Sequence, residues 1–211
     1  MKVKICGITN AEDAHAAVRA GADALGFVFA AGSPRSISFS DAAAIIAELP
    51  PFVTPVGVFS DATIDRLIDA VGRANIRCLQ IDARVGPADL ARIPVPIIRS
   101  FRVRPDFDVR TLEGEIAQAL LLDTYAKGIQ GGTGMTFDWS VAAAASRYGR
   151  IILAGGLNPE NVGEAVRIAR PYAVDVSSGV ESTPGKKDHA RLSAFCRAAR
   201  DAAVRLQAIG E

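Results

Sequence analysis

Short runs of apolar residues alternate with amphipathic stretches along the whole chain. The runs are nearly continuous in apolar residues, which is typical of parallel strands that are covered on both faces. They recur at intervals of about 25 residues, the length of one strand–helix unit. The pattern predicts eight strands, over Val3–Ile8, Ala24–Phe29, Pro55–Phe59, Arg77–Ile81, Pro96–Phe101, Ala119–Asp123, Ile151–Gly156 and Ala173–Ser178.

The stretches between the runs carry helix signals. Ser40 and Asp41 are capping residues ahead of a segment that stops at Pro50, and Asn158 before Pro159 resembles a cap with proline in the first turn. Helices are predicted after Thr9 or Asn10 up to Gly21, from Asp41 to Leu49, and over Asp61–Ala74, Pro87–Arg92, Val109–Gln118, Asp138–Arg147, Pro159–Ala169 and Lys187–Ala208. Eight strand–helix units without a linker predict an α/β fold, a single closed (β/α)8 TIM barrel over residues 1–211. An open doubly wound sheet is the alternative.

Composition and charge exclude several classes of protein. With 211 residues, 49% of them hydrophobic and 22% charged, the chain has the balance of a soluble globular domain. Its net charge of +1 gives no reason to expect nucleic acid or an anionic membrane as a partner. The apolar runs are only strand-length and the first residues lack a signal-peptide core, so we expect no membrane span and a cytoplasmic location.

The cysteines and histidines narrow the chemistry further. Cys6, Cys78 and Cys196 are widely spaced and odd in number, which is not the pattern of a disulfide framework or a zinc site. With only His15 and His189, a histidine-centred triad or metal site is not expected. We therefore predict no metal, and we expect Cys78 and Cys196 to be buried structural residues.

In a (β/α)8 barrel the reactive groups lie at the carboxyl ends of the strands. Cys6 lies at the end of the first run, where a thiol can act as a nucleophile or base, or can simply be buried. Asp123 ends the sixth run, ahead of a glycine-rich stretch at 128–134. It is a candidate acid or base, and a turn-capping role is the alternative.

Two glycine-rich turns follow the seventh and eighth runs, where barrels of this kind often bind phosphate. Backbone N–H groups in such turns, together with a helix N-terminus, hold an anion without Lys or Arg. Plain left-handed turns are the alternative. The candidate phosphate-binding residues are Gly155, Gly156, Ser177, Ser178 and Gly179.

Two charged residues are further candidates. Arg35, in the loop after the second run, has a planar guanidinium group that suits a carboxylate. Asp175 lies within the last apolar run, and a buried acid is rarely unpaired. Asp175 is therefore expected to orient Arg35, to hold a substrate hydroxyl, or to make a structural hydrogen bond.

These residues lie in segments that closely resemble one family, the phosphoribosylanthranilate isomerases of tryptophan biosynthesis. The resemblance runs from end to end in family order. The matching segments are KICGIT (Lys4–Thr9), GADALGFVF (Gly21–Phe29), SPRSIS (Ser33–Ser38), VGVF (Val56–Phe59), LLDT (Leu121–Thr124), GGTGMTFDW (Gly131–Trp139), AGGLNPENV (Ala154–Val162) and VDVSSGVESTPGKKD (Val174–Asp188).

The resemblance implies an Amadori rearrangement of N-(5′-phosphoribosyl)anthranilate, a small phosphosugar, to an aminodeoxyribulose phosphate without a cofactor. It implies that Asp123 is the general acid and Cys6 the general base. It also implies that Arg35 binds the anthranilate carboxylate and that the turns after strands seven and eight bind the phosphate. Monomer and homodimer are both left open.

One segment departs from the family pattern. The family usually reads QLHG at the end of strand four, whereas this chain has Gln80-Ile81-Asp82-Ala83. Because the implied acid and base lie elsewhere, we expect retained activity with altered loop geometry or substrate affinity. Gln80 and Asp175 are predicted to line the substrate site.

Two alternative functions are open, of which the second belongs to another functional class. One is another phosphosugar-converting barrel enzyme. An indole-glycerol-phosphate synthase would need a catalytic lysine on a barrel strand, and the runs have none past Lys4; a histidine-pathway isomerase would need aspartates where this chain has Cys6 and Arg99. The other alternative is a non-catalytic phosphosugar-binding barrel, which only the altered fourth strand favours.

Overall fold

The fold is a closed barrel of eight parallel strands. The structure is a computed structural model that describes residues 1–82, 85–124 and 136–209. The strands are β1 (Lys2–Cys6), β2 (Ala24–Val28), β3 (Thr54–Phe59), β4 (Cys78–Asp82), β5 (Ile97–Val103), β6 (Ala119–Thr124), β7 (Ile151–Leu153) and β8 (Ala173–Val176). Neighbours in sequence are neighbours in the barrel, and β1 pairs with β8 to close it. The predicted (β/α)8 barrel is confirmed, and the open sheet is excluded.

The side chains inside the barrel change from apolar to polar along the strands. Successive residues of a strand point to opposite faces, so every second residue faces the interior. The lower interior is filled by a small apolar cluster that includes Cys78, Ala119 and Leu121. Two residues further along the same strands, Cys78 is followed by Gln80 and Leu121 by Asp123. The barrel therefore has an apolar floor and a polar mouth.

Helices cover the outside of the barrel. Within the described ranges they are α1 (Ala11–Arg19), α2 (Phe39–Ala47), α3 (Ile64–Ala74), α4 (Pro87–Leu90), α5 (Trp139–Ala145), α6 (Val162–Ala169) and α7 (His189–Ile209). The larger core lies between strands and helices and includes the fully buried Phe27, Leu67 and Phe195. None of the helices in these ranges has the length and apolar character needed to cross a membrane.

At two of the predicted helix starts, the side chain expected to cap the helix does not do so. Helix α2 is capped by Ser38, whose hydroxyl accepts the N–H of Asp41 at 3.1 Å, and not by Ser40. Asn158 does not cap α6. Its side chain instead accepts the N–H of Asn161 at 2.9 Å within a separate turn, and the helix begins only at Val162.

The helix predicted over Val109–Gln118 was also wrong. Only a single 3-10 turn forms, over Val109–Leu112, with Asp108 as its cap. Gly114 adopts a φ of +77°, a left-handed conformation that ends the turn and is incompatible with a continuing helix. The chain then runs directly into β6.

A short antiparallel hairpin between β8 and α7 was not predicted. Its strands are β9 (Glu181–Thr183) and β10 (Lys186–Lys187), joined through Pro184 and Gly185. The hairpin places Glu181 and Lys187 beside the barrel mouth, where both side chains are almost completely buried.

Candidate active site

A cavity of about 500 Å³ opens at the carboxyl ends of the barrel strands. Its lining contains every residue that the sequence singled out for the site: Cys6, Arg35, Gln80, Asp123, Gly155, Gly156, Asp175, Ser177, Ser178 and Gly179. The glycine-rich stretch at 128–134 and the replaced residue Ala83 lie outside the described residues. The ten candidates thus share one site.

Cys6 is the last residue of β1 and is 7% exposed. Burial raises the pKa of its thiol, the charge of Lys4 opposes this most strongly, Asp175 raises the pKa further, and Lys187 lowers it. The Lys187 ammonium also donates a hydrogen bond to the Cys6 carbonyl oxygen at 2.6 Å. Cys6 is therefore held firmly, next to two buried cations.

Asp123 lies on the opposite side of the mouth, near the end of β6, with 24% of its side chain exposed. Its carboxylate accepts a hydrogen bond from Arg102 of β5 at 2.8 Å. Burial raises the pKa of Asp123, the Arg102 charge lowers it, and the nearby Asp175 raises it again. The net direction is upward, which favours a carboxyl group that can carry and deliver a proton.

Arg35 is oriented by Glu181 and not by Asp175. Its Nε and Nη2 donate to the two Glu181 oxygens at 2.8 and 2.7 Å, a bidentate pair. Glu181 also accepts from Lys187 at 2.8 Å. Although burial alone would raise the pKa of Glu181, the hydrogen bonds from Arg35 and Lys187 lower it. Glu181 is therefore an anion that fixes two cations at the mouth.

Of the roles expected for Asp175, the structural hydrogen bond is the one observed, and its partner is Lys4. Its Oδ1 lies 2.8 Å from Lys4 Nζ, and the two side chains are only 9% and 3% exposed. Burial opposes the charge of Lys4, but Asp175 and Cys6 together raise the Lys4 pKa well above its usual value. Lys4 and Asp175 therefore form a buried ion pair below Cys6, while Asp175 still lines the cavity.

The turns after β7 and β8 contact each other closely. A Cβ atom at Gly179 would lie 1.9 Å from the Leu157 carbonyl oxygen, so only glycine allows this approach. Gly155 and Gly156 have φ values of +84° and +66°. Because α6 begins only at Val162, the turn at residues 158–161 separates these glycines from the helix N-terminus. Backbone groups of the turns are thus the main donors available here.

Two buried oxygen atoms that face the cavity have no protein partner among the described residues. Gln80 is 8% exposed, and neither its Oε1 nor the Oγ of Ser177 has a hydrogen-bond partner in the part of the chain that is described. Buried polar atoms are normally paired. These two atoms are therefore available to a bound ligand.

The remaining cysteines and the histidines lie away from this chemistry. Cys78 begins β4 and Cys196 lies in α7, and burial raises the pKa of each thiol to about 11. His15 pairs with Glu48 and His189 with Asp13, both outside the cavity. Across the described ranges, no group of three or more His, Cys, Asp or Glu side chains could hold a metal ion.

Sequence reasoning missed four charged residues of the site. Lys4 carried a readable signal, because it is a charge inside an apolar strand two residues before Cys6. Arg102 is the register partner of Asp123 across β5 and β6, which only the assembled barrel reveals. Glu181 and Lys187 belong to the hairpin that was not predicted.

The fold and the site together define a (β/α)8-barrel enzyme with an acid and a thiol at its mouth. A family model for N-(5′-phosphoribosyl)anthranilate isomerase matches residues 3–198. The N-(5′-phosphoribosyl)anthranilate isomerase of Geobacter metallireducens is 47% identical over 200 residues, covering 95% of this chain and 99% of that protein. The chain belongs to the N-(5′-phosphoribosyl)anthranilate isomerase family.

Solved structures of this family have the same fold. A phosphoribosyl anthranilate isomerase in complex with reduced 1-(o-carboxyphenylamino)-1-deoxyribulose 5-phosphate is 40% identical, with a TM-score of 0.84. A structure of monomers generated from the dimeric enzyme of Thermotoga maritima is 39% identical, also with a TM-score of 0.84. Each alignment covers 95% of this chain and 99% of the other.

Proposed function

We propose that Asp123 and Cys6 are the general acid and the general base of the family's reaction in this chain. That reaction is the Amadori rearrangement of N-(5′-phosphoribosyl)anthranilate to 1-(2-carboxyphenylamino)-1-deoxyribulose 5-phosphate in tryptophan biosynthesis. The observation that carries the proposal is the placement of the two groups on β6 and β1, on opposite sides of one cavity. A substrate between them can be protonated on one side and deprotonated on the other.

Asp123 serves the first step, in which the sugar ring opens. Its carboxyl proton goes to the furanose ring oxygen, the bond from that oxygen to C1′ breaks, and the anthranilate nitrogen lone pair forms an iminium with C1′. The step needs a protonated acid, and burial of Asp123 favours that form.

Cys6 serves the second step. The C2′ proton becomes acidic beside the iminium, and the Cys6 thiolate takes it while the electron pair forms the C1′–C2′ double bond of an enolamine. Loss of the C2′ hydroxyl proton and protonation of C1′ then give the ketone. Because C2′ is oxidised and C1′ is reduced within one molecule, the reaction balances without a redox cofactor.

The other candidates bind the two ends of the substrate. Arg35 keeps Nη1 for the anthranilate carboxylate, since Glu181 accepts from its Nε and Nη2. The phosphate is held by backbone groups of Gly155, Gly156 and residues 177–179, and Gln80 and Asp175 line the sugar between the ends. Support comes from their common cavity and from the unpartnered oxygens of Gln80 and Ser177.

Three wider features belong to the same proposal. The chain, residues 1–211, acts as one catalytic domain, as a monomer or a homodimer. It works in the cytoplasm, where its three buried, unpaired cysteines remain reduced. A dimeric relative from Thermotoga maritima supports the dimeric possibility.

Turnover of freshly prepared phosphoribosylanthranilate, followed by the loss of its fluorescence, tests the assignment. Cys6→Ser and Asp123→Asn are each expected to lose about a hundredfold or more in kcat, because each removes one proton-transfer group. Cys196→Ser and Asp201→Asn, both on α7 and away from the cavity, make the same chemical changes as controls. If Cys6→Ser or Asp123→Asn turned over substrate at the wild-type rate, the substituted residue would not be the general base or the general acid proposed here.

A further inference from the structure

A buried ion pair lies directly below the proposed base and has no part in the steps described above. Lys4 and Cys6 are two residues apart on β1, so both side chains face the barrel interior. Asp175 is the register partner of Lys4 between β1 and β8, and their charged atoms are 2.8 Å apart. Replacing a buried ion pair by packed apolar side chains is often neutral or stabilising. Fold stability therefore does not explain why positions 4 and 175 in the barrel interior are charged.

The Lys4 ammonium and the Cys6 sulfur meet in a space left open by Gly26 of β2. A Cβ atom at position 26 would lie 2.8 Å from Cys6 Sγ and 3.2 Å from Lys4 Nζ. Both atoms thus border the same small volume, with no side chain of β2 between them. The positive charge lies beside the atom that must accept a proton.

The charged side chains around the Cys6 sulfur carry a net positive charge. Among the described residues, the charged groups that act on the Cys6 sulfur are Lys4, Lys187, Asp175 and Arg35. Glu181 belongs to the same group of charges because it is paired with Arg35 and Lys187. Three cations and two carboxylates leave one positive charge in excess, which a thiolate balances. Burial raises the pKa of the Cys6 thiol, and Lys4 is the largest single charge that opposes it.

We propose that Lys4 is a positioning residue for Cys6, whose ammonium, anchored by Asp175, supplies the positive charge against which the Cys6 thiolate forms. In forming the thiolate, sulfur gives its proton to solvent and Lys4 keeps all three of its own. The sulfur lone pair then accepts the C2′ proton. This inference rests on the proposed role of Cys6 as base.

Alkylation of Cys6 by iodoacetamide in the free enzyme measures the thiolate directly, with mass spectrometry reading each cysteine separately. The rate at about pH 8 follows the thiolate fraction, so a change of one pKa unit appears as about a tenfold change in rate. Lys4→Met is expected to slow Cys6 alkylation about tenfold, and Asp175→Asn to accelerate it several-fold, because the two charges act in opposite directions. Lys2→Met is the control: it removes the same charge from an exposed position of the same strand and should leave the Cys6 alkylation rate unchanged.

The alkylation rate of Cys6 should change in opposite directions in Lys4→Met and Asp175→Asn, and this difference distinguishes an electrostatic role of the ion pair from a structural one. If the pair only stabilised the fold, both substitutions would loosen the barrel and accelerate alkylation of Cys78 and Cys196 as well. Equal Cys6 rates in Lys4→Met and wild type, or shifts of the same sign in the two variants, would overturn the proposal. The double variant K4M/D175N leaves no unpaired buried charge. It should alkylate more slowly than Asp175→Asn alone, and this comparison isolates Lys4 if Lys4→Met does not fold.

Turnover supplies the second readout. Lys4→Met is expected to reduce kcat about as much as it reduces the thiolate fraction, with KM little changed because Lys4 lies below the substrate. Alkylation is measured without substrate, so it tests the contact between Lys4 and Cys6 even if Cys6→Ser proves active. Full activity of Cys6→Ser would remove the base assignment, whereas an unchanged alkylation rate in Lys4→Met would remove only this inference.

Discussion

Asp123 is subject to opposing influences at the scale of single residues. Burial favours its neutral, proton-carrying form, while Arg102 at 2.8 Å favours its charged form. Arg102 is 40% exposed, so water screens much of its charge. The structure thus shows the proposed acid with an upward-shifted pKa that an adjacent cation moderates.

Arg102→Leu should raise the pKa of Asp123, because a cation that stabilises the carboxylate is removed while burial remains. The size of the upward shift is limited by solvent screening of the half-exposed Arg102 charge. Carbon-13 NMR of labelled aspartate carboxyls measures it, with Asp123→Asn assigning the signal. The protonated fraction at neutral pH should increase accordingly. Arg110→Leu removes an exposed cation paired with Asp108 and is the control; an unshifted Asp123 midpoint in Arg102→Leu would contradict the expectation.

At the scale of elements, the two proposed phosphate turns work as one unit because they touch. Gly179, in the turn after β8, approaches the Leu157 carbonyl oxygen in the turn after β7 more closely than any side chain permits. The position of each turn therefore depends on the other. If the turns bind the phosphate as proposed, their donors can converge on one anion only while this contact persists.

Gly179→Ala should separate the two turns and weaken phosphate binding. We expect KM to rise about tenfold or more, equivalent to about 1.4 kcal/mol, with a smaller effect on kcat. Titration with inorganic phosphate measures binding without turnover. Gly72→Ala is the matched control, because it lies in α3 and its added methyl would meet nothing within 4 Å beyond the adjacent residues and the helix's own backbone; it should stabilise the fold by about 0.5–1 kcal/mol. An unchanged KM in Gly179→Ala would show that the turns bind independently.

At the scale of the whole molecule, Asp13 connects the beginning of the barrel to its end. Asp13 lies in α1 and is 2% exposed. Its carboxylate accepts the backbone N–H of Lys187 at 2.9 Å and lies 2.9 Å from the His189 ring nitrogen. Burial alone would raise the pKa of Asp13, but these hydrogen bonds lower it.

Asp13→Asn should destabilise the fold at neutral pH and have little effect in acid. The folded-state pKa of Asp13 is depressed, so its contribution is complete above the unfolded value and is lost as pH falls below about 4. We expect a loss of about 1–3 kcal/mol at pH 7, where a buried group loses a charged partner. Urea unfolding at pH 7 and in acid measures both values. Asp201→Asn, exposed on α7, is the control, and an equal loss at both pH values would contradict the linkage.

The strands and the main site residues were readable from the sequence, but the links between them were not. Continuous apolar runs identified β1 to β8, and the chemistry at their ends identified Cys6 and Asp123. The pairing of Arg102 with Asp123 depends on strand register, which periodicity does not specify. Of the roles left open for Asp175, orienting Arg35 is not realised, because Glu181 reaches Arg35 from the hairpin. The helix predicted from Val109 ended early because Gly114 is left-handed.

The hydrogen bond from Lys187 to the Cys6 carbonyl oxygen has a consequence for the synthesis of the protein. Ribosomes synthesise residue 6 early and residue 187 much later, so the nascent chain carries the Cys6 thiol long before Lys187 is present to hold it. A chain that stops before the hairpin lacks Lys187, so it cannot complete the proposed catalytic centre even if most of the barrel has formed. On the proposed function, activity is therefore expected only after the hairpin has been synthesised, and its appearance would report on the last stage of assembly.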